Sequence, residues 1–240
     1  MAYIHMSVDM RYRLIYTDFC QGRLAQSGEH SLHTRGVTGS SPAVPIMAKN
    51  KMDDFQDGSL AETVDEVRTV AEGRVFRYER LRVTLPDGSP SERDVVRLPG
   101  GSVVVPVDQE GYVYLVSQFR AALNRVTLEL PAGRLEPGEL PEACAERELL
   151  EETGFRAGAV KHLTSVAPSP GYSDEILHIY MATDLEYDEA DPDEGEFVNV
   201  IMFPMDEIID MVADGDICDA KTIIGILFAE REMRTPRDNE

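Results

Sequence analysis

Three glutamates, Glu148, Glu151 and Glu152, stand at i, i+3 and i+4 in a stretch that reads as a helix over Pro141–Thr153. That spacing places three carboxylates on one helical face. Like charges so close cost about 0.2–0.5 kcal/mol per exposed pair, and more when shielded from water. Hard cations such as Mg²⁺ or Mn²⁺ take oxygen ligands of this kind, so metal binding is one outlet for the repulsion. A solvated acidic face is the other, because glutamate is a good helix former. Arg147, four residues before Glu151, can brace it, while Ala143 and Leu150 are expected on the opposite side against a sheet. Proline opens this helix and Gly154 follows its end, the usual asymmetry of helix boundaries.

The elements that must position this helix follow from periodicity. Alternation marks a strand over Arg74–Val83, and the turn Leu85-Pro86-Asp87-Gly88 leads into Asp94–Leu98. Ser102–Val107 and Tyr112–Gln118 form a second hairpin about Asp108–Gly111, and Val126–Leu130 is a further strand. Strands are expected at Ala159–Val166, Ile176–Ala182 and Val198–Phe203. Helices are expected over Met205–Ala213 and, capped by Asp219, over Ala220–Met233, whose apolar face could be core or interface. Mixed strands with few helices imply an α+β fold.

The net charge of −21 argues against a general nucleic-acid or membrane-surface binder, which needs basic patches. Cys20, Cys144 and Cys218 are odd in number and widely spaced, which argues against a disulfide framework or zinc site. No apolar run is long enough to span a membrane, and the cytoplasm is the expected compartment. The first fifty residues carry net +2, so residues 51–240 carry −23. Gly22–Pro45 is rich in Gly, Ser, Thr and His and lacks periodicity. Residues 1–52 are expected to be a disordered or non-native extension, because this run resembles the translation of a bacterial tRNA gene, with Met47 or Met52 as the true start. Residues 53–72 read as an acidic, irregular arm with a short helix, and 73–235 as the folded domain.

Around the helix, Gly133, Glu139, Arg147, Glu148, Leu149, Glu151, Glu152, Gly154 and Phe155 match the Nudix box at every specified position. The chain thus resembles the Nudix hydrolases, and the resemblance implies an α/β/α sandwich with a mixed sheet. It implies that Glu148, Glu152 and the Ala132 carbonyl ligate metal, with Glu151 close by. Arg147 would orient the glutamates, and Gly133, Glu139 and Gly154 would support the box. The segments SQFR (117–120), LELPAGRLEPGE (128–139) and SPGYSDE (169–175) resemble the ADP-ribose pyrophosphatase branch. That resemblance implies a substrate pocket with Arg93, Arg120, Arg134, Ser169, Gly171 and Glu175, and a homodimer whose N-terminal strands reach the partner's site. Arginines there suit a diphosphate.

In the acidic run 191–200, the resemblance implies that Glu194 is the general base and Glu196 a further metal ligand, or the reverse. The expected reaction is Mg²⁺-dependent hydrolysis of ADP-ribose, with Mn²⁺ as the alternative ion. The rivals are cleavage of another nucleoside diphosphate sugar, such as GDP-mannose or ADP-glucose, and a non-catalytic ADP-ribose sensor. Some relatives stack the adenine on tryptophan, which this chain lacks. Phe76 or Tyr78 could supply a smaller stacking face, or both could be core residues of their strand.

Overall fold

The β-branched run Gly-Ser-Val-Val-Val-Pro has no polar face to offer solvent, and the structure buries all of it. The protein is described by a computed structural model over residues 58–188 and 197–235. Expectations for residues 1–52, Glu194 and Glu196 lie outside the described residues. In chain order the strands are β1 (Thr63–Glu72), β2 (Arg77–Thr84), β3 (Pro90–Arg97), β4 (Gly101–Pro106), β5 (Tyr112–Arg120), β6 (Arg125–Glu129), β7 (Ala132–Arg134), β8 (Phe155–Val166), β9 (Leu177–Tyr187) and β10 (Asn199–Pro204). The helices are α1 (Pro141–Thr153), α2 (Met205–Ala213) and α3 (Ala220–Arg234).

The central sheet has the order β7-β4-β9-β8, with β4 parallel to β9 and the other pairs antiparallel. Strands buried on both faces read as continuous apolar runs, and β4 is one. Val104 points to the face covered by α1, where it meets Ala145, Leu149, Tyr180 and Ala182. Val103 and Val105 point to the other face, against Leu130, Ile179, Ile208, Ile226 and Ala229. Each such fully buried side chain contributes about 1.5–3 kcal/mol. Helices on both faces of a mixed sheet make this an α+β fold of the expected sandwich kind. A second sheet, β10-β5-β6, is antiparallel throughout.

A third sheet, β1-β2-β3, stands apart from these two. Residues 53–72 were expected as an irregular arm with a short helix. The described part instead has one 3₁₀ turn at Gly58–Leu60 and the ten-residue strand β1, exposed along its whole length. The sheet is tied to the rest of the chain through the loop before β9. Val96 N–H donates to the Tyr172 carbonyl at 2.7 Å, Leu98 N–H to Asp174 Oδ1 at 3.0 Å, and Arg97 Nη1 to Asp174 Oδ2 at 3.2 Å. Glu79, buried on β2, accepts from Arg77 and Arg97 and so holds Arg97 in place for that tie.

Two side-chain expectations are corrected. On α1 the residues facing the sheet are Ala145 and Leu149, whereas Ala143 is exposed and Leu150 half-buried. The helix is rotated so that Glu148 and Glu152 flank its apolar stripe and are themselves buried. Neither Phe76 nor Tyr78 is core. Phe76 is half exposed in a shallow cleft with Arg97 and Pro99, and the Tyr78 hydroxyl donates to Asp94 on the outer face of β2. The face of α3 divides between both readings: Ile226 and Ala229 are core, while Leu227 and Phe228 are exposed.

Candidate active site

Arg147 is the hub of the box. Its Nε and Nη2 donate to the two Glu139 oxygens at 2.8 and 3.0 Å. Nη1 donates to Glu148 at 2.6 Å and to Glu151 at 2.9 Å, and Nη2 also reaches the Arg134 carbonyl at 3.1 Å. One guanidinium thus serves three carboxylates. The Arg147 hydrogen bonds hold the Glu139 carboxyl at about 2, well below the ordinary carboxylate value, and the Arg147 guanidinium is raised in turn. Glu152 is turned to the loop before α1, accepting the Ala132 N–H at 3.0 Å.

Backbone geometry explains the two box glycines. A Cβ at Gly133 would fall 1.7 Å from Glu148 Oε1, so the strand β7 can lie against this carboxylate only without a side chain. Gly154 ends α1 in the left-handed conformation, φ 75°, and its N–H closes the helix on the Leu150 carbonyl at 2.8 Å. Ser102 adds an anchor that periodicity did not reveal: its hydroxyl donates to the Pro141 carbonyl at 2.6 Å and fixes the start of α1 to β4. Cys144 lies under the same loop, its thiol pushed up to about 11 by burial and then by Glu139, which makes it inert at neutral pH.

Glu148, Glu152 and the Ala132 carbonyl offer only hard oxygen donors, the chemistry that Mg²⁺ or Mn²⁺ prefers. Among the described residues no three His, Cys, Asp or Glu side chains already converge as a cage, because Glu148 and Glu151 are drawn onto Arg147. The donor set fits a divalent ion that competes with Arg147 for these oxygens.

A second charged cluster adjoins the first. Glu129, almost wholly buried at the end of β6, accepts from Arg120 Nε at 2.7 Å and Nη2 at 2.6 Å, from the Thr127 hydroxyl at 2.6 Å, and from Lys221. Burial pushes the Glu129 carboxyl up, but Arg120, Lys221 and Thr127 together outweigh it and bring it down to about 2. Lys221 also donates to Asp219, which caps α3 by accepting from Thr222 N–H at 3.0 Å. The Thr222 hydroxyl in turn accepts the Leu130 N–H at 2.8 Å, stitching α3 to the box loop. Glu129, Lys221 and Thr222 were not expected as site residues. The signals lay in the sequence: Glu129 occupies an inward position of β6, and a lysine in the first turn of a helix opposes the helix dipole.

The structure brings together some of the expected pocket residues. Arg120 feels the Glu152 charge, and Glu175 that of Lys221. Burial raises the Glu175 carboxyl, with Lys221 opposing and Asp174 adding to the rise. The Ser169 carbonyl accepts from Tyr172 and Ser173 N–H, folding the turn that carries Gly171 and leads to Glu175. Arg134 contributes its carbonyl to Arg147 while its side chain is exposed. Arg93 is held on the third sheet and the segment before it, by Glu62 and Ser91.

A NUDIX domain family model matches residues 97–223. The chain is 38% identical over 171 residues to a methanol dehydrogenase activator of Bacillus methanolicus, covering 70% of this chain and 92% of that protein. It is 37% identical over 174 residues to an ADP-ribose pyrophosphatase of Bacillus subtilis (strain 168), covering 72% and 94%. Among solved structures, an ADP compounds hydrolase shares the fold with a TM-score of 0.66 at 24% identity, over 73% of this chain and 96% of that one. The chain therefore belongs to the Nudix family, and it is a Nudix hydrolase. No helix among the described residues is long and apolar enough to cross a membrane.

Proposed function

We propose that this enzyme hydrolyses the diphosphate bond of ADP-ribose, giving AMP and ribose 5-phosphate. The observation that carries the reading is the Arg147 hub: three carboxylates on one cation, beside a cluster in which Arg120 is exposed enough to meet an anion. Glu148, Glu152 and the Ala132 carbonyl would hold Mg²⁺, with Mn²⁺ as an alternative. When bound, such ions neutralise phosphoryl charge and acidify a bound water. Arg147 holds the glutamates in register, and Glu139 holds Arg147. Arg120, Arg134, Ser169, Gly171 and Glu175 line the diphosphate and sugar side, and Arg93, held on the third sheet, is assigned to the same pocket by the family resemblance. Glu194 or Glu196 takes the proton of the attacking water, the other ligating metal. Water adds to one phosphorus while the other phosphate leaves, with no covalent enzyme intermediate.

The substrate named for the Bacillus subtilis relative and the SQFR and SPGYSDE segments support ADP-ribose. The absence of tryptophan favours a second reading, a related nucleoside diphosphate sugar whose base is held by a smaller group such as Phe76. The exposed valines Val64, Val67 and Val70 of β1 support a homodimer built on the third sheet, and the cysteine spacing supports a cytoplasmic location. The test is a panel of ADP-ribose, ADP-glucose, GDP-mannose and NADH with Mg²⁺, products identified by chromatography. ADP-ribose is expected to turn over best and to yield AMP. Better turnover of a different sugar nucleotide selects the second reading, and binding without cleavage makes the domain a sensor.

A further inference from the structure

We propose that Lys221 is the resident counter-ion of Glu129, and that it allows Arg120 to leave that carboxylate and turn onto the substrate's diphosphate. The proposal rests on the reading above for the identity of the substrate. A carboxylate as buried as Glu129 cannot be left without a cation, because its desolvation would go uncompensated. If Arg120 were its sole partner, the pair would be locked, and the arginine would be unavailable to a ligand. The structure instead gives Glu129 two cations of unequal freedom. Arg120 ends β5 with its side chain 41% exposed, whereas the Lys221 side chain is 12% exposed. Lys221 is further anchored to Asp219, whose other contacts cap α3. The Thr127 hydroxyl remains on Glu129 whichever cation stays. Lys221 is therefore the fixed cation and Arg120 the exchangeable one.

Lys221 is thus a positioning residue that acts through Glu129 and Arg120. This arrangement has a signature that simple structural damage lacks. Replacing Lys221 with methionine leaves Arg120 as the only cation on Glu129 and locks it there. Neutralising Glu129 in the same protein unlocks it. The two substitutions should therefore compensate rather than add.

The experiment is calorimetric titration of ADP-ribose into the full chain in EDTA, so that no turnover occurs. Lys221→Met is expected to weaken binding at least about 10-fold, Glu129→Gln by less than about 3-fold, and the double variant to return within about 3-fold of the wild-type protein. Lys221→Arg, which keeps the counter-ion, is expected to bind like wild type. Penalties that add in the double variant overturn the proposal, as does failure of the wild-type protein to bind ADP-ribose. Should Lys221→Met not fold, the Arg120 Nε–H resonance of ¹⁵N-labelled wild-type protein decides. It is expected to shift on saturation with ADP-ribose, and an unchanged Arg120–Glu129 pair overturns the proposal. If the compensation is seen but ADP-ribose is not cleaved with Mg²⁺, the proposed reaction falls and the counter-ion role stands. If ADP-ribose is cleaved but the penalties add, the counter-ion role falls alone.

Discussion

Two clusters of charge meet at the box, and they are built in opposite ways. Around Arg147, one guanidinium serves Glu139, Glu148 and Glu151, with Glu152 nearby on the same helix. Around Glu129, one buried carboxylate is served by Arg120 and Lys221, and Asp219 balances the second cation. The first cluster is short of positive charge and the second is not. A site that must gather divalent ions needs the first kind, since spare carboxylates are what the ions bind. A site that must also meet an anionic diphosphate needs a cation it can release without stranding a buried charge, which is the second kind.

The contrast can be broken at its most sensitive point by Glu152→Gln, which removes charge from the deficient cluster with little change of shape. Turnover of ADP-ribose is expected to fall by about 10²–10³-fold or more, with the circular dichroism spectrum unchanged. Arg147→Met acts the other way and leaves the carboxylates with no shared cation. Urea unfolding in EDTA should show a loss of about 2 kcal/mol, below the cost of breaking a fully buried pair because Arg147 is partly exposed. Added Mg²⁺ should recover part of that loss, since the ions replace the missing cation, and no recovery would count against the charge-deficit reading.

Acid sharpens the comparison by variant. Glu129 and Glu139 each lie at about 2 in the folded protein, against 4.5 for an unperturbed group. Their folded-state values are depressed, so between these limits the unfolded chain binds more protons. The stability they contribute is complete above the unfolded value of 4.5 and is lost as pH falls through about 2. Urea midpoints across that window should fall less steeply in Glu129→Gln and in Glu139→Gln than in the wild-type protein. The smallest expected effect is that of Asp219→Ala, which removes the α3 cap and costs about 1 kcal/mol by the same measurement.

Much of this was legible in the sequence because local and global signals agreed. The box helix was expected over Pro141–Thr153 and is found there, bounded by its proline and Gly154. The hairpin strands were placed to within a few residues. Strand β1 was not seen, for a physical reason. Val64, Val67 and Val70 recur every three residues, and only bulges between Val64 and Glu66 and between Thr69 and Ala71 fit that spacing to a strand. Three-residue β7 is too short for any period to show. The rotation of α1 was misjudged because Glu148 and Glu152 are buried, and buried carboxylates do not follow apolar patterning. Lys221 and Glu129 lie ninety-two positions apart, so their pairing depends on α3 docking beside β6, which no local pattern encodes.

The most direct test of the charge deficit is to count bound Mn²⁺ by electron paramagnetic resonance, in wild-type protein and in Glu148→Gln/Glu152→Gln, each free of substrate. The wild-type protein should bind Mn²⁺ at least about 10-fold more tightly than the double variant, because two of the oxygens offered to the ion are gone. Equal affinity in the two proteins would contradict it, and would place the ion elsewhere on an acidic surface.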